Sequence, residues 1–202
     1  TVLAKGEADV GRGEVLGLGR TPDTILVADD ENGELLGIRE IELKTGKISE
    51  PLVKGAAASP IFDHKSRLLI GFELDGYIED SYFLDEATQR RWESVKAAFP
   101  GEKVRLVSSN DDLSRWVVKA DGPHDSGHYF LVDLTQKKAI PLGAAYPDIG
   151  PSQVGAFSWF DYTTGDGLKE KALITLPPGY TFETARNLPA VVLPHRGPQG
   201  RD

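Results

Sequence analysis

Two short β-prone runs recur along this chain at the same two offsets. DTILVA (Asp23–Ala28), SRLLIG (Ser66–Gly71) and SRWVVK (Ser114–Lys119) lie 43 and 48 residues apart. REIEL (Arg39–Leu43), YFLDE (Tyr82–Glu86) and FLVDL (Phe130–Leu134) repeat the same two steps, with Glu42, Asp85 and Asp133 at one common place. Self-similarity at a fixed period constrains a fold more than any single propensity, because each repeat is one structural unit that packs on its neighbours. Upstream of each pair stands a further run: EVLGLG, ASPIF and KVRLVS. Downstream, ISEPLV and AIPL supply a fourth run in the first and third units. Turn signals separate the runs, among them ENG (Glu31–Gly33), LDG (Leu74–Gly76) and ADG (Ala120–Gly122). Up to four short antiparallel strands per unit is the spacing of propeller blades.

The middle unit departs from the pattern. EATQRRWESVKAAF (Glu86–Phe99) places Trp92, Val95 and Phe99 on one helical face, and Pro100-Gly101 stops it. This helix is expected to replace or cover the outer strand of the second blade, with Trp92 as a core anchor. Three blades do not close a ring, and open sheet edges invite pairing with other chains. Further blades are therefore expected before Thr1, and the isolated chain is expected to self-associate or to be marginally folded. A homo-oligomer stays open as a partner class.

The blade pattern ends at Leu142. GAAYPDIGPSQVG (Gly143–Gly155) reads as a linker, so the expected division is blades over 1–142, a linker over 143–156, and the start of a second domain over 157–202. FSWFDYTTGDGLKEKALITLPPGY reads as a hairpin: a strand near Ser158–Tyr162, a turn at Thr164–Gly167, and a strand Leu168–Leu176 closed by Pro177-Pro178-Gly179. LPAVVLPH is continuously apolar, the pattern of a strand buried on both faces in an α/β sheet. The fold expectation is thus mainly β: a partial propeller of about three blades leading into the first strands of an α/β-hydrolase domain.

Charge and composition remove several function classes. The net charge of −8 argues against a nucleic-acid surface. No apolar run approaches the roughly 20 residues of a membrane span, and the first residues carry no signal-peptide core. The compartment stays open between cytoplasm and periplasm. There is no Cys, which removes disulfide and thiolate chemistry, and no Met even at position 1, as expected of a processed chain or an excerpt.

The motifs at the C-terminal end resemble the prolyl-oligopeptidase family of serine peptidases, in its acylaminoacyl-peptidase and dipeptidyl-aminopeptidase branch. The carrying residues are Asp166-Gly167-Leu168, Leu173 through Tyr180 (LITLPPGY), Leu188-Pro189, Val191 through Pro198 (VVLPHRGP) and Arg201-Asp202. The resemblance implies a propeller that restricts an α/β-hydrolase active site to short peptides. It also implies a nucleophile-elbow Ser, an Asp and a His. None of that triad lies in this sequence, which has no GxSxG, so the chain alone is expected to be inactive while its parent hydrolyses peptides. What carries over is the turn His195-Arg196-Gly197, the counterpart of the turn that donates a backbone N–H to the oxyanion hole. The family usually has Gly where Arg196 stands. Either Arg196 adopts an ordinary φ or the hole is built differently, since Gly alone tolerates positive φ freely. The implied partners are a short peptide substrate and the remaining blades and hydrolase domain. The alternatives are a non-catalytic propeller that binds a peptide or protein, and an esterase on the same scaffold.

Other clusters carry side chains suited to metal binding or catalysis. His124, Asp125 and His128 have zinc-ligand chemistry, but with a Gly among them and no further ligand a solvated turn is expected. Asp29-Asp30-Glu31-Asn32 and Asn110-Asp111-Asp112 have calcium-type donors, yet hairpin turns favour these residues anyway. Glu79-Asp80 and Arg90-Arg91 read as solvated faces. Glu42, Asp85 and Asp133 read as a repeated structural position. Thr163-Thr164 reads as a turn approach, and Gly165-Asp166-Gly167 lacks the GK[ST] of a phosphate loop. No cofactor and no metal is expected.

Overall fold

The computed structural model describes residues 14–31, 34–54, 57–75, 80–122 and 125–194. It is mainly β, built from antiparallel sheets in chain order. The first is a four-stranded meander of β1 (Glu14–Leu18), β2 (Thr24–Glu31), β3 (Glu34–Glu42) and β4 (Val53–Lys54). The second has three strands, β5 (Ala57–Phe62), β6 (Leu69–Asp75) and β7 (Asp80–Phe83), and is followed by helix α1 (Glu86–Ala97). The third is again a four-stranded meander, of β8 (Lys103–Ser109), β9 (Arg115–Gly122), β10 (Asp125–Asp133) and β11 (Lys138–Ala144). A separate hairpin pairs β12 (Phe157–Thr163) with β13 (Lys169–Thr175). Consecutive antiparallel sheets of four, three and four strands match the blade-like strand content that the 43- and 48-residue offsets imply.

The described chain falls into two compact units, Thr1–Ala97 with Ser109–Arg115, and Ala98–Ser108 with Trp116–Asp202. The 143–156 segment lies inside the second of these.

In the first unit, Leu26, Ile38, Leu69 and Phe72 form a buried cluster with Leu16, Val53, Phe62 and Leu84 packed against it. Residues from both sheets contribute, so the two share one core. The amide of Leu69 donates to the carbonyl of Gly19 at 3.0 Å, tying β6 to the end of β1.

Helix α1 stands where a fourth strand of the second sheet would be. Phe83 on β7 turns its N–H outward, and the side chain of Gln89 accepts it at 2.8 Å. A sheet-edge donor that a strand would satisfy is thus taken by the helix. Trp92 is fully buried and meets Phe83 edge-on, with ring centroids 6.3 Å apart. Its indole N–H donates to Asp80 Oδ1 at 2.9 Å, and Lys96 Nζ reaches Asp80 Oδ2 at 2.6 Å. The helix ends two residues before the expected Phe99. Phe99 belongs to the second unit, where it is buried and packs on Phe130 with centroids 4.8 Å apart.

In the second unit, β9 alternates buried Trp116, Val118 and Ala120 with half-buried Val117, Lys119 and Asp121. Period-two alternation of this kind marks a strand with one face on the core. Half-buried Asp121 accepts from Arg105 Nη2 and Lys119 Nζ, each at 3.0 Å. Burial opposes its ionisation, but these two cations hold its carboxyl below the usual range.

Several local expectations are corrected. Ala120–Gly122 is the end of β9 rather than a turn, and Asp125–His128 opens β10, so the PHDSGH stretch is largely strand. The apolar pattern places the interior of a strand better than its ends, because the ladder continues wherever a partner backbone is within reach. ISEPLV forms only the two-residue β4 plus an Ile41–Ile48 bridge. Pro51 lacks the N–H that a longer ladder would need.

Candidate functional site

The turn His195-Arg196-Gly197 lies outside the described residues. What the structure builds is its approach. The β12–β13 hairpin has an unbroken register from Phe157 opposite Thr175 to Thr163 opposite Lys169. Its tip is closed by Thr164, whose backbone N–H donates to the Leu168 carbonyl at 2.9 Å and whose hydroxyl accepts from the Leu168 amide at 3.0 Å. The Thr164 hydroxyl also bonds to Asp166, which holds that carboxyl below its ordinary range. Gly167 adopts φ 91°, the left-handed conformation that this tight reversal requires. At the base, the Leu176 amide donates to the Ala156 carbonyl at 2.8 Å. Gly155 passes so close to the Leu176 carbonyl that a Cβ there would sit 1.8 Å from its oxygen.

Both faces of this hairpin are apolar toward its base. Phe157, Trp159 and Leu173 share one face, and Phe160 and Ile174 the other, all between 39% and 46% exposed. Toward the tip the faces turn polar, with Asp161 paired across the strands to Lys171 at 3.2 Å.

After Leu176 the chain makes two turns. One is closed by the Tyr180 amide on the Pro177 carbonyl, the other by the Ala185 amide on the Thr181 carbonyl. Arg186 Nη1 caps the second turn on the Ala185 carbonyl at 2.7 Å. Residues 188–194, expected as a strand buried on both faces, run without a ladder here. Val191, Val192 and Leu193 are each more than 80% exposed. The physical reason is pairing: a strand exists only against a partner, and none of the described residues forms a ladder with this segment. Apolar content supplies the tendency to be covered, not the covering sheet.

The remaining candidates resolve into structural devices. Asp125 and His128 do meet, with His128 Nδ1 2.8 Å from Oδ1 and 2.9 Å from Oδ2. A carboxylate only accepts, so Nδ1 carries the proton. His124 lies outside the described residues, and the Ser126 hydroxyl donates to the Ile149 carbonyl at 3.2 Å. Among the described residues no group of three or more His, Cys, Asp or Glu converges.

Asn110 and Asp112 close their own hairpin turn through the amides of Arg115 and Ser114, and Asp111 pairs with Lys65 at 3.0 Å. The side chains of Asp29, Asp30, Glu31, Asn32 and Glu79 lie outside the described residues. Asp80 is not a solvated acid but the anchor of Trp92 and Lys96. Arg90 pairs with Glu86 along the helix at 3.3 Å, and Arg91 is exposed.

The recurring acids share one task. Glu42 accepts from the Thr45 hydroxyl at 2.7 Å. Asp85 accepts from the amide and hydroxyl of Thr88, at 2.7 and 2.9 Å. Asp133 accepts from the amide and hydroxyl of Thr135, at 3.0 and 2.6 Å, and from the Gln136 amide. Each closes the turn that follows the third strand of its sheet, and in the second sheet that turn is the first turn of α1. The signal in the sequence was a threonine two or three residues after each acid.

One constellation escaped the sequence reading. Glu40 is buried on β3, and one of its oxygens accepts from Arg20 Nε at 3.0 Å and Nη2 at 2.7 Å. The other oxygen accepts the Arg20 backbone amide at 2.5 Å. Burial opposes the charge, yet these bonds from Arg20 hold the Glu40 carboxyl below its ordinary range. The available hint was parity, since Glu40 shares the inward side of β3 with Ile38.

Among the described residues, no helix is long and apolar enough to cross a membrane. No family model matches the chain, and no curated protein matches it. Among solved structures, it is similar to a puromycin hydrolase mutant crystallised with PGG, at 17% sequence identity and a TM-score of 0.37. The match covers 77% of this chain and 24% of that one, so the chain spans about a quarter of that protein's length.

Proposed function

We propose that this chain is part of a serine peptidase of the prolyl-oligopeptidase type, contributing propeller blades and the first strands of an α/β-hydrolase domain that begins near residue 157. The observation that carries this reading is one succession: blade-like meanders, then a DGL-turned hairpin ending in LPPGY, then LPAVVLPHRGP. A blade has no use for the last two stretches.

In this reading the parent enzyme acylates a serine and hydrolyses the acyl-enzyme. The hydroxyl oxygen attacks the peptide carbonyl while a histidine takes its proton; the peptide C–N bond then breaks as the histidine returns that proton to the departing amine, and water hydrolyses the resulting ester. By the resemblance, the turn His195-Arg196-Gly197 is the one that would donate a backbone N–H to the oxyanion as charge develops on it. One such donor is worth roughly 2.7–4 kcal/mol. The blades narrow access so that short peptides enter and folded proteins do not.

The test is a fluorophosphonate probe applied to the native protein, followed by peptide mapping. The expected result is one labelled serine, in a GxSxG segment outside these 202 residues, with short-peptide hydrolysis lost on labelling. A native protein of about 22.0 kDa that takes no label would overturn the enzymatic reading.

A further inference from the structure

We draw no further inference here: the strongest candidate, the apolar surface of the β12–β13 hairpin around Phe160, Leu173 and Ile174, is an exposed sheet face, and nothing among the described residues shows what covers it.

Discussion

The Glu40–Arg20 pair offers a quantitative test of what holds the first sheet together. Two unit charges 4 Å apart attract by about 4 kcal/mol at an effective dielectric near 20 and by about 1 kcal/mol in water. The Glu40 side chain is 7% exposed and that of Arg20 51%, so the pair stands between these limits. A coupling energy of about 2 kcal/mol is expected from a double-mutant cycle of Arg20→Met and Glu40→Met. The single substitutions should be unequal. Arg20→Met strands a buried carboxylate, whereas Glu40→Met leaves a guanidinium that water already reaches. Arg20→Met should therefore cost more.

The pH dependence has a definite sign. The folded carboxyl of Glu40 is held low, so its contribution is complete above the ordinary carboxylate value of about 4.3 and is lost as pH falls through the lowered one. Urea unfolding followed by tryptophan fluorescence, at pH 7 and near pH 3, measures the cycle at constant m. A coupling below about 0.5 kcal/mol at pH 7, the level of a surface pair, would refute the argument. So would a coupling that does not shrink in acid.

Three further outcomes follow from named contacts. Trp92→Phe keeps the buried ring but leaves Asp80 without the indole donor; urea unfolding should show a loss of about 1–3 kcal/mol, and no loss would mean that the 2.9 Å bond contributes nothing net. Asp85→Ala removes the acceptor for the amide and hydroxyl of Thr88. Hydrogen exchange at the first turn of α1 should speed up while the third sheet is unaffected; uniform acceleration would contradict a local cap. Gly155→Ala drives a methyl into the Leu176 carbonyl, so amide protection along β12 and β13 should fall, and unchanged protection would mean the base of the hairpin relaxes freely.

The repeat was legible in the sequence because each blade is built from local pieces: short strands, tight turns and a threonine-bonded acid, all within about 50 residues. The helix of the second unit was legible for the same reason, since its period, its stop and its apolar stripe are all local. Its means of replacing a strand was not. That depends on Gln89 reaching the outward N–H of Phe83, and no pattern along the chain registers one side chain against another strand's edge.

The same division holds at the candidate site. The hairpin from Phe157 to Thr175 was read nearly to the residue, because its turn at Asp166-Gly167 and its alternation are local. The apolar run from Leu188 to His195 predicts a buried strand, yet its described part, through Pro194, is mostly exposed and forms no ladder. Composition determines that such a segment gains by being covered; only a partner backbone decides that it becomes a strand. Glu40 and Asp80 make the point for charge. By itself the sequence determined the order of the sheets, the turn acids and the motifs that suggest a peptidase. Which acids are buried and which cation or indole each one holds was decided by tertiary structure alone, because burial and pairing are relations between segments distant in the chain.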